Sequence, residues 1–485
     1  MKLPRKAATA LASLSLAAVA LTGCSGSSSD ASAATSTGTS TSTSTSTSTA
    51  PTVDPASLST DTHADADDGD YDTTGATTIK LADGASTVSG SGASVDGDVV
   101  TITKAGTYVL SGSLADGQVV VDSPDEGKVK VVLDGVDITS STTSPVVVTA
   151  ADEAVVVLAD GSTNQLADSA ASGADDEGED APTATLFSMA DLTIAGTGAL
   201  QVTGASNDAI SSKDGLVVLS GTVTAKAVDD GIRGKDYLVI EGGTVDVTAG
   251  GDGLKSDNDT SGELGWIRLD GGKVTVSAGS QGADAVGAVA VTDGALTVST
   301  SDEGVQAAVI TVAGGSVAVT ATDDGLNATS HTEVGGGEQA EDGVLVTLSG
   351  GTVTIAAGSD GIDSNGSAAI TGGTLAVRAS SGGGGGNGPL DVNGTTTAQA
   401  GLLTAEAGSI QACQQVTVTD ASGKAVTSFT TNGTSMSLII TAAGITSGQT
   451  YTVSAGQSEI GTVTATDATQ ASTGMGGGFG GRTRH

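Results

Sequence analysis

Aromatic side chains, histidine and basic residues are all scarce in this chain of 485 residues. Phe, Trp and Tyr make up 2% of it, there are 3 histidines, and 18 Lys and Arg stand against 56 Asp and Glu. The resulting net charge of -38 argues against binding to nucleic acid or to anionic membrane surfaces. It suits the binding of cations, although solubility alone would account for it without any ligand.

Several motifs of catalysis and cofactor binding are absent as well. The chain has no CxxC or HExxH motif, and its glycine runs lack the following Lys-Ser/Thr of a phosphate-binding loop. His63 and His485 fall in segments with the composition of disordered chain, so a Ser-His-Asp site would depend on His331 alone, which argues against one. A disulfide framework is not expected either, because one of the two cysteines, Cys24, is expected to be lipidated.

The N-terminus has the features of a targeting segment. Three basic residues precede an apolar run over residues 7–21, which ends in the sequence Leu-Thr-Gly-Cys at Cys24. A charged start, a short apolar stretch and small residues at the break are typical of an export signal. The last four residues resemble a bacterial lipoprotein signal, which implies that Cys24 carries a lipid. The protein is therefore expected to be exported and anchored on the outer face of the bacterial cell membrane; an ordinary signal peptide or an uncleaved anchor is the alternative.

Composition divides the rest of the chain into four parts. Residues 24–75 are rich in Ser, Thr, Ala and Asp, cannot form a core, and are expected to be a disordered stalk. Residues 76–400 carry strand-like segments broken by Gly and Asp, and are expected to be the main β domain. Residues 401–470 alternate more evenly and predict a small β cap or appendix, and residues 471–485 are a Gly-rich tail.

The β domain contains a repeat. Ten residues after the second glycine of each Gly-Gly-Thr-Val-like start comes another glycine, which follows an acid and precedes an aliphatic residue. These pairs are Gly221 and Gly231, Gly243 and Gly253, Gly294 and Gly304, Gly315 and Gly325, and Gly351 and Gly361. One unit about every 22 residues predicts a solenoid. Because the segments between the turns alternate apolar and polar residues, the fold is predicted to be an all-β parallel β-helix.

Acidic residues stack in this repeat. Asp208, Asp230 and Asp252 are 22 residues apart and should lie on successive coils. Neighbouring carboxylates about 5 Å apart repel by roughly 3 kcal/mol, so a cation or amide donors must compensate them. Calcium, which takes six to eight oxygen ligands, is the favoured ion; ordinary Asp-Gly turn chemistry is the alternative. The candidate metal ligands are Asn207, Asp208, Asp229, Asp230, Asp252, Asp323, Asp324 and Asp360.

Two cations and two aromatic residues align beside this column. Arg233 and Lys255 follow their turn glycines by two residues and are expected to neutralise the acids; contact with a sugar carboxylate, or action as a base, is the alternative. Tyr237 and Trp266 align on adjacent coils. They are expected either to form an aromatic ledge that binds a sugar ring, or to be buried by the loop after Asp257.

The runs Asn207–Asp214, Asp229–Asp236 and Gly251–Asp257 together resemble a bacterial family of calcium-containing, right-handed parallel β-helix carbohydrate-binding proteins. The resemblance implies an exported, non-catalytic protein that binds cellulose-type or acidic, pectin-type polysaccharides. One departure concerns Ala209, which stands where the family pattern has the turn glycine.

Three functions are weighed on these grounds. The first is a surface-anchored polysaccharide-binding protein that depends on calcium, with an extracellular polysaccharide as its partner and a monomeric state. The second is a calcium-dependent polysaccharide lyase in which Arg233 or Lys255 removes the proton beside a uronate carboxylate. The third is a structural spacer or adhesin without a sugar ligand.

Overall fold

The computed structural model describes residues 58, 62–169, 181–330, 339–379, 388–398, 401, 403–411, 413–431 and 435–466. The chain divides into two compact units, residues 1–46 and 47–485, and every described residue belongs to the second. The export signal, Cys24 and the tail from residue 471 lie outside the described residues and remain predictions. Within the described ranges, no helix is long and apolar enough to cross a membrane.

The described residues form strands connected by turns. The first strands are β1 (Thr77–Leu81), β2 (Thr87–Ser89), β3 (Ala93–Asp96), β4 (Val99–Ile102), β5 (Gly106–Leu114), β6 (Gln118–Asp122), β7 (Lys128–Ser140), β8 (Val146–Ala150), β9 (Glu153–Leu158), β10 (Thr163–Asp168), β11 (Ala184–Ser188), β12 (Leu192–Gly196) and β13 (Ala199–Gly204). They belong to the early coils of the solenoid, apart from β2 and β3, which pair antiparallel with β1 and β4.

The regular coils follow. Their strands are β14 (Asp208–Ser212), β15 (Gly215–Val218), β16 (Thr222–Ala227), β17 (Ile232–Gly234), β18 (Tyr237–Ile240), β19 (Thr244–Thr248), β20 (Leu254–Ser256), β21 (Trp266–Leu269), β22 (Lys273–Ser277), β23 (Ala283–Val291), β24 (Ala295–Thr300), β25 (Val305–Val312), β26 (Ser316–Thr320), β27 (Leu326–Ala328), β28 (Leu345–Leu348), β29 (Thr352–Ala356), β30 (Ile362–Ser364), β31 (Ser367–Ile370), β32 (Thr374–Arg378), β33 (Leu390–Val392) and β34 (Thr396–Ala398).

These strands stack in parallel into three faces. The first face contains β14, β17, β20, the start of β23 and β25, and then β27, β30 and β33. The second contains β12, β15, β18, β21, the ends of β23 and β25, and then β28, β31 and β34. The third contains β13, β16, β19, β22, β24, β26, β29 and β32. Each coil therefore contributes one strand to each face.

The register repeats the sequence period. Ile210 pairs with Ile232, which pairs with Leu254, so each step along the first face covers 22 residues. Alternate side chains of every strand point inward, and Ile210, Leu216 and Val223, one from each face, are fully buried in a common core. The predicted all-β parallel solenoid with about 22 residues per coil is confirmed.

The glycines that start each third-face strand have a backbone reason to be glycine. Gly243 has φ +80, in the left-handed region that side chains with a Cβ rarely adopt. A Cβ at this position would also lie 2.5 Å from the carbonyl oxygen of Gly221, one coil earlier. The repeated Gly-Gly start is therefore where stacked turns approach each other most closely.

A further set of strands follows the last coils. They are β35 (Leu403–Ile410), β36 (Gln415–Thr419), β37 (Ala425–Thr430), β38 (Ser435–Ala442), β39 (Thr450–Ala455) and β40 (Ser458–Thr464). β38 pairs antiparallel with β32 and so ends the third face, while β36, β37, β39 and β40 form a separate antiparallel sheet. Val416, Phe429 and Tyr451 belong to a second apolar cluster. This is the small β appendix that the alternating sequence predicts.

Candidate functional site

The aspartates of the repeat form a ladder beside the first face. Asp208, Asp230 and Asp252 are all buried. The backbone N–H of Asp230 donates to Asp208 Oδ1 (3.2 Å), and that of Asp252 donates to Asp230 Oδ1 (2.8 Å). The N–H of Gln281 continues the series to Asp252 Oδ1 at 3.0 Å. Each carboxylate therefore accepts a hydrogen bond from the next coil, which is the amide compensation that the turn-chemistry alternative requires.

A lysine supplies positive charge to the same ladder. Lys255 Nζ lies 3.0 Å from Asp230 Oδ2 and 2.7 Å from Asp252 Oδ2. Burial lowers the pKa of Lys255, but the hydrogen bonds and charges of the two aspartates outweigh burial and raise it. Because this ammonium group is held charged between two acids, it neutralises the column, as the first interpretation of the sequence expects.

Arg233 is also paired within the chain. Its Nε donates to Asp257 Oδ1 (3.0 Å) and its Nη2 to Asp257 Oδ2 (2.7 Å), a two-point contact of the strong kind that arginine makes with carboxylates. Arg233 and Lys255 pair in register on the first face. Both cations proposed for a sugar carboxylate or for proton abstraction are thus occupied by acids of this chain.

The Asp208 end of the ladder is less well compensated. Burial, followed by the charge of Asp230, raises the pKa of Asp208 to about 7. No ion pair of Asp208 with a lysine or arginine occurs among the described residues. The substitution of Ala209 for the turn glycine leaves the local hydrogen bonding intact, because the N–H of Ala209 still donates to the carbonyl of Asp230 at 3.1 Å.

Further along the first face, the outward row that contains Arg233 and Lys255 changes its chemistry. It continues in register as Asp284, Gln306, Asn327, Asp363 and Asp391. No lysine or arginine occupies the row in these later coils. The acids beside them therefore lack the internal cation that the earlier coils have.

Three acids converge beside this part of the row. Single carboxylate oxygens of Glu303, Asp323 and Asp324 all lie within 4.8 Å of one another. Asp324 is buried, Glu303 is half-buried and Asp323 is exposed. Two amides orient the Glu303 carboxylate, since Asn327 Nδ2 donates to Oε1 (2.7 Å) and Gln281 Nε2 donates to Oε2 (2.9 Å). The three acids make a compact oxygen cluster that is open on one side.

The charges in this region oppose ionisation. Burial, followed by the charges of Asp323 and Asp360, raises the pKa of Asp324 to about 6. Burial, followed by the charges of Asp324 and Asp360, raises the pKa of Asp363 to about 7. A bound cation would relieve this repulsion, because it favours the ionised form of every carboxylate around it.

The cluster fits calcium by its donor set and its size. Two ligand atoms on opposite sides of a calcium ion are about 4.6–5.2 Å apart, given bond lengths of 2.3–2.6 Å. Oxygens within 4.8 Å of one another can therefore share one ion. All three donors are carboxylates, the hard oxygen ligands that calcium prefers, and the exposed side leaves room for water or a further oxygen ligand.

The structure brings together only some of the metal ligands expected from the sequence. Asp323 and Asp324 join in one cluster, while Asp230 and Asp252 have Lys255 as their partner. Asp360 lies on the next coil, where its N–H donates to Asp324 Oδ1 at 2.8 Å. Asn207 is half-buried and Asp229 is exposed, and neither belongs to a group of acids that could share an ion among the described residues. Glu303 was missed, although it precedes a turn glycine as Asp324 does.

The aromatic pair is stacked, but it is not an open ledge. The rings of Tyr237 and Trp266 are 5.0 Å apart between centroids and 11° from parallel. Trp266 is only 3% exposed, and its Nε1 donates to the carbonyl of Glu263 at 3.1 Å, in the loop before β21. The expectation of an exposed aromatic platform is therefore wrong for this conformation, because the loop after Asp257 contacts Trp266 as the alternative predicts.

A second segment covers the pair, and it comes from the region expected to be a disordered stalk. His63 Nδ1 lies 2.7 Å from the hydroxyl of Tyr237, and Leu58 and Ala64 pack against the apolar cluster that contains Trp266. Asp68 is 1% exposed. The expectation of disorder up to residue 75 is wrong over residues 62–75, because specific polar contacts compensate for their lack of apolar side chains.

Comparisons with known proteins agree with this architecture. A family model described as carbohydrate-binding domain-containing protein matches residues 96–343. A protein of Acetivibrio thermocellus with the same description is 38% identical over 136 residues, which cover 28% of this chain and 48% of that protein. The chain thus spans about half the length of the curated relative it matches. A solved structure of a polysaccharide lyase-like protein from C. thermocellum, a gadolinium derivative, is 31% identical with a TM-score of 0.44, covering 50% of this chain and 93% of that chain.

Proposed function

This chain belongs to the family of carbohydrate-binding domain-containing proteins, and from that premise we propose that it binds polysaccharide without cleaving it and depends on calcium to do so. The proposed ligands are cellulose-type or acidic, pectin-type glycans. We propose further that the protein is exported, is anchored to the outer face of the cell membrane by a lipid on Cys24, and acts as a monomer.

The observation that carries the calcium dependence is the contrast along the first face. Where Lys255 reaches Asp230 and Asp252, the acids have an internal cation. Where the cluster of Glu303, Asp323 and Asp324 lies, the outward row supplies only amides and further acids. Calcium held by these three carboxylates would supply positive charge to this region.

That charge has a consequence for the choice of ligand. With a net charge of -38, the protein repels an acidic polymer unless cations lie between the two. The exposed position of Asp323 leaves one side of the cluster accessible, so carboxylates of a pectin-type glycan can approach there. Binding of acidic glycans is therefore expected to require calcium, whereas a neutral glycan does not face this repulsion.

The geometry weighs against the alternative of a polysaccharide lyase. A general base must be free to accept a proton. Arg233 is held at two points by Asp257, and Lys255 lies between two aspartates that raise its pKa. An ultraviolet assay for unsaturated product on several uronates tests this directly, and a rising trace would contradict a purely binding role.

The proposal is tested by glycan binding with matched variants. Isothermal titration with pectate, and pull-down on cellulose, are to be performed with calcium and with chelator. Glu303→Gln combined with Asp323→Asn removes two charges from the cluster and should weaken pectate binding in calcium by about tenfold or more. Asp246→Asn, which removes an exposed acid from the third face, is the control and should bind as the wild type does.

The outcomes separate the three functions. Absence of binding to either glycan in calcium would contradict the proposal and leave the spacer or adhesin interpretation. Equal pectate binding with and without chelator would contradict the calcium dependence alone.

A further inference from the structure

A short segment before the first strand crosses the outside of the second face. We call residues 62–70 the strap. Its first residues contact Tyr237 on β18, and its last ones contact lysines of β7, so it spans several coils on its way to β1. It is rich in small and acidic residues and has few side chains that could bury apolar area.

The first end of the strap is held by His63. Its backbone N–H donates to the hydroxyl of Tyr237 (3.2 Å), and its Nδ1 lies 2.7 Å from the same oxygen. The same ring nitrogen is 3.1 Å from Asp191 Oδ1, and Nε2 is 3.0 Å from Thr193 Oγ1. All of these partners are polar, so water or the hydroxyl groups of a ligand could replace His63 at each of them.

The second end of the strap is held by charge. Asp68 Oδ2 lies 2.7 Å from Lys128 Nζ, which also contacts Asp65 at 3.0 Å. Lys130 Nζ donates to the backbone carbonyls of Asp67, Asp68 and Asp70. Burial raises the pKa of Asp68, but the hydrogen bond and charge of Lys128 outweigh it, and the pKa lies below its ordinary value. Two lysines therefore hold this end of the strap.

The surface beneath the strap has the opposite character. Val217, Val239, Trp266, Ala288 and Val309 form an apolar cluster outside the core, and Ala64 and Leu58 pack against it. Contiguous apolar surface of this kind on an exported protein marks either a covered face or a binding face. Here a polar strap with few apolar side chains covers an aromatic and aliphatic patch, so the contact is weak for the apolar area that it hides.

We propose that the strap is a displaceable cover, and that the stacked pair of Tyr237 and Trp266 beneath it is the sugar-binding platform that its release exposes. The inference rests on the proposed carbohydrate-binding function and adds its regulation. The ring faces of Tyr237 and Trp266 suit the apolar face of a pyranose, and the partners freed from His63 suit its hydroxyl groups. Strap and glycan then compete, so the apparent dissociation constant rises as the open fraction falls.

The single tryptophan makes release measurable without any glycan. Because Trp266 is the only tryptophan of the chain, quenching of its fluorescence by acrylamide reports the exposure of this one site. Asp68→Asn removes the charge that Lys128 holds, while Asp67→Asn removes an exposed charge one residue away. Asp68→Asn should raise quenching and tighten glycan binding, by up to about fivefold given the strength of partly exposed ion pairs. Asp67→Asn should change neither.

A reversible lock gives the complementary experiment in one protein. A Cβ placed on Gly69 would lie 3.6 Å from Cβ of Ala195, within the range that a disulfide spans. The pair Gly69→Cys and Ala195→Cys is introduced in a chain that also carries Cys24→Ser and Cys413→Ser. The oxidised form should resist quenching and bind cellulose and calcium-pectate at least tenfold more weakly than the same protein after reduction.

The outcomes distinguish the strap from the function. Weak binding when oxidised, recovered on reduction, supports the proposal. Equal binding in both redox states overturns it, as does unchanged quenching in both Asp68→Asn and the reduced double-cysteine protein. If the reduced protein and the wild type both fail to bind any glycan while quenching still changes on reduction, the proposed carbohydrate-binding function is wrong and the strap covers no sugar site.

Discussion

The ammonium group of Lys255 lies 3.0 Å from the carboxylate of Asp230, which belongs to the preceding coil, and it also contacts Asp252 of its own coil. This contact joins two steps of the aspartate ladder across the stacking direction of the solenoid. It also explains how the chain tolerates two buried acids in successive coils. The later coils, which have no such lysine in their outward row, are where the calcium cluster is proposed.

Removal of Lys255 should therefore destabilise the protein. Lys255→Met leaves Asp230 and Asp252 without their cation, and we expect a loss of roughly 2 kcal/mol in the free energy of unfolding, reduced from the fully buried case because the lysine is partly exposed. Urea unfolding in chelator measures it. Lys226→Met on the exposed side of the third face is the control. A loss equal to the control would show that the pair contributes little.

Calcium should stabilise the folded chain through Asp324. At a calcium concentration one hundred times its dissociation constant, one site adds about 2.7 kcal/mol to the free energy of unfolding. Asp324→Asn retains an acceptor for the N–H of Asp360 but loses the charge, so most of this gain should disappear. Thermal unfolding with calcium and with chelator measures the difference, and an undiminished gain in the variant would place the ion elsewhere.

The titration of Asp208 should make stability depend on pH. Its pKa is raised from 3.8 to about 7, so the folded chain binds this proton more tightly than the unfolded chain. The contribution is fully present below pH 3.8 and is lost as pH rises through about 7, on the order of 3 kcal/mol in total.

Asp208→Asn tests this dependence, because Asn keeps an oxygen for the N–H of Asp230 without the charge. Urea unfolding in chelator at several pH values between 4 and 8 should give a flatter profile for the variant than for the wild type, with the variant more stable at pH 8. Parallel profiles would show that Asp208 does not titrate in this interval.

The turn glycines should differ in cost according to their neighbours. Gly243→Ala places a Cβ in the left-handed region and 2.5 Å from the carbonyl of Gly221, so we expect a loss of roughly 2 kcal/mol or more. Gly97 has φ +61 but no atom within 4 Å of a Cβ, so Gly97→Ala should cost only about 1 kcal/mol. Urea unfolding of both variants measures the difference. Equal losses would show that close stacking of the turns is not what requires glycine.

The repeat made much of the architecture predictable. In a parallel solenoid, a residue and its equivalent one period later are neighbours, so a spacing of 22 in the sequence becomes a contact between coils. The alignment of Tyr237 with Trp266, of Arg233 with Lys255, and the succession of Asp208, Asp230 and Asp252 follow from that rule, and the register of the strands confirms each alignment.

Partners and exposure could not be predicted in the same way. Whether an acid faces a lysine or other acids depends on small changes of side-chain position, which is why Glu303 was missed and why Asp230 has Lys255 as its partner. The exposure of Trp266 depends on two segments outside the repeat, the loop after Asp257 and the strap, whose positions no periodicity encodes.

By itself, the sequence determined that this chain is an all-β parallel solenoid with stacked acids and a stacked aromatic pair, because each of these properties is local and repeats with the coil. Only the tertiary structure decided that the early acids are neutralised within the chain, that three later acids converge, and that the aromatic pair is covered. His63 meets Tyr237 across 174 residues of sequence, and a contact of that range depends on how a non-repeating segment packs on the finished coils.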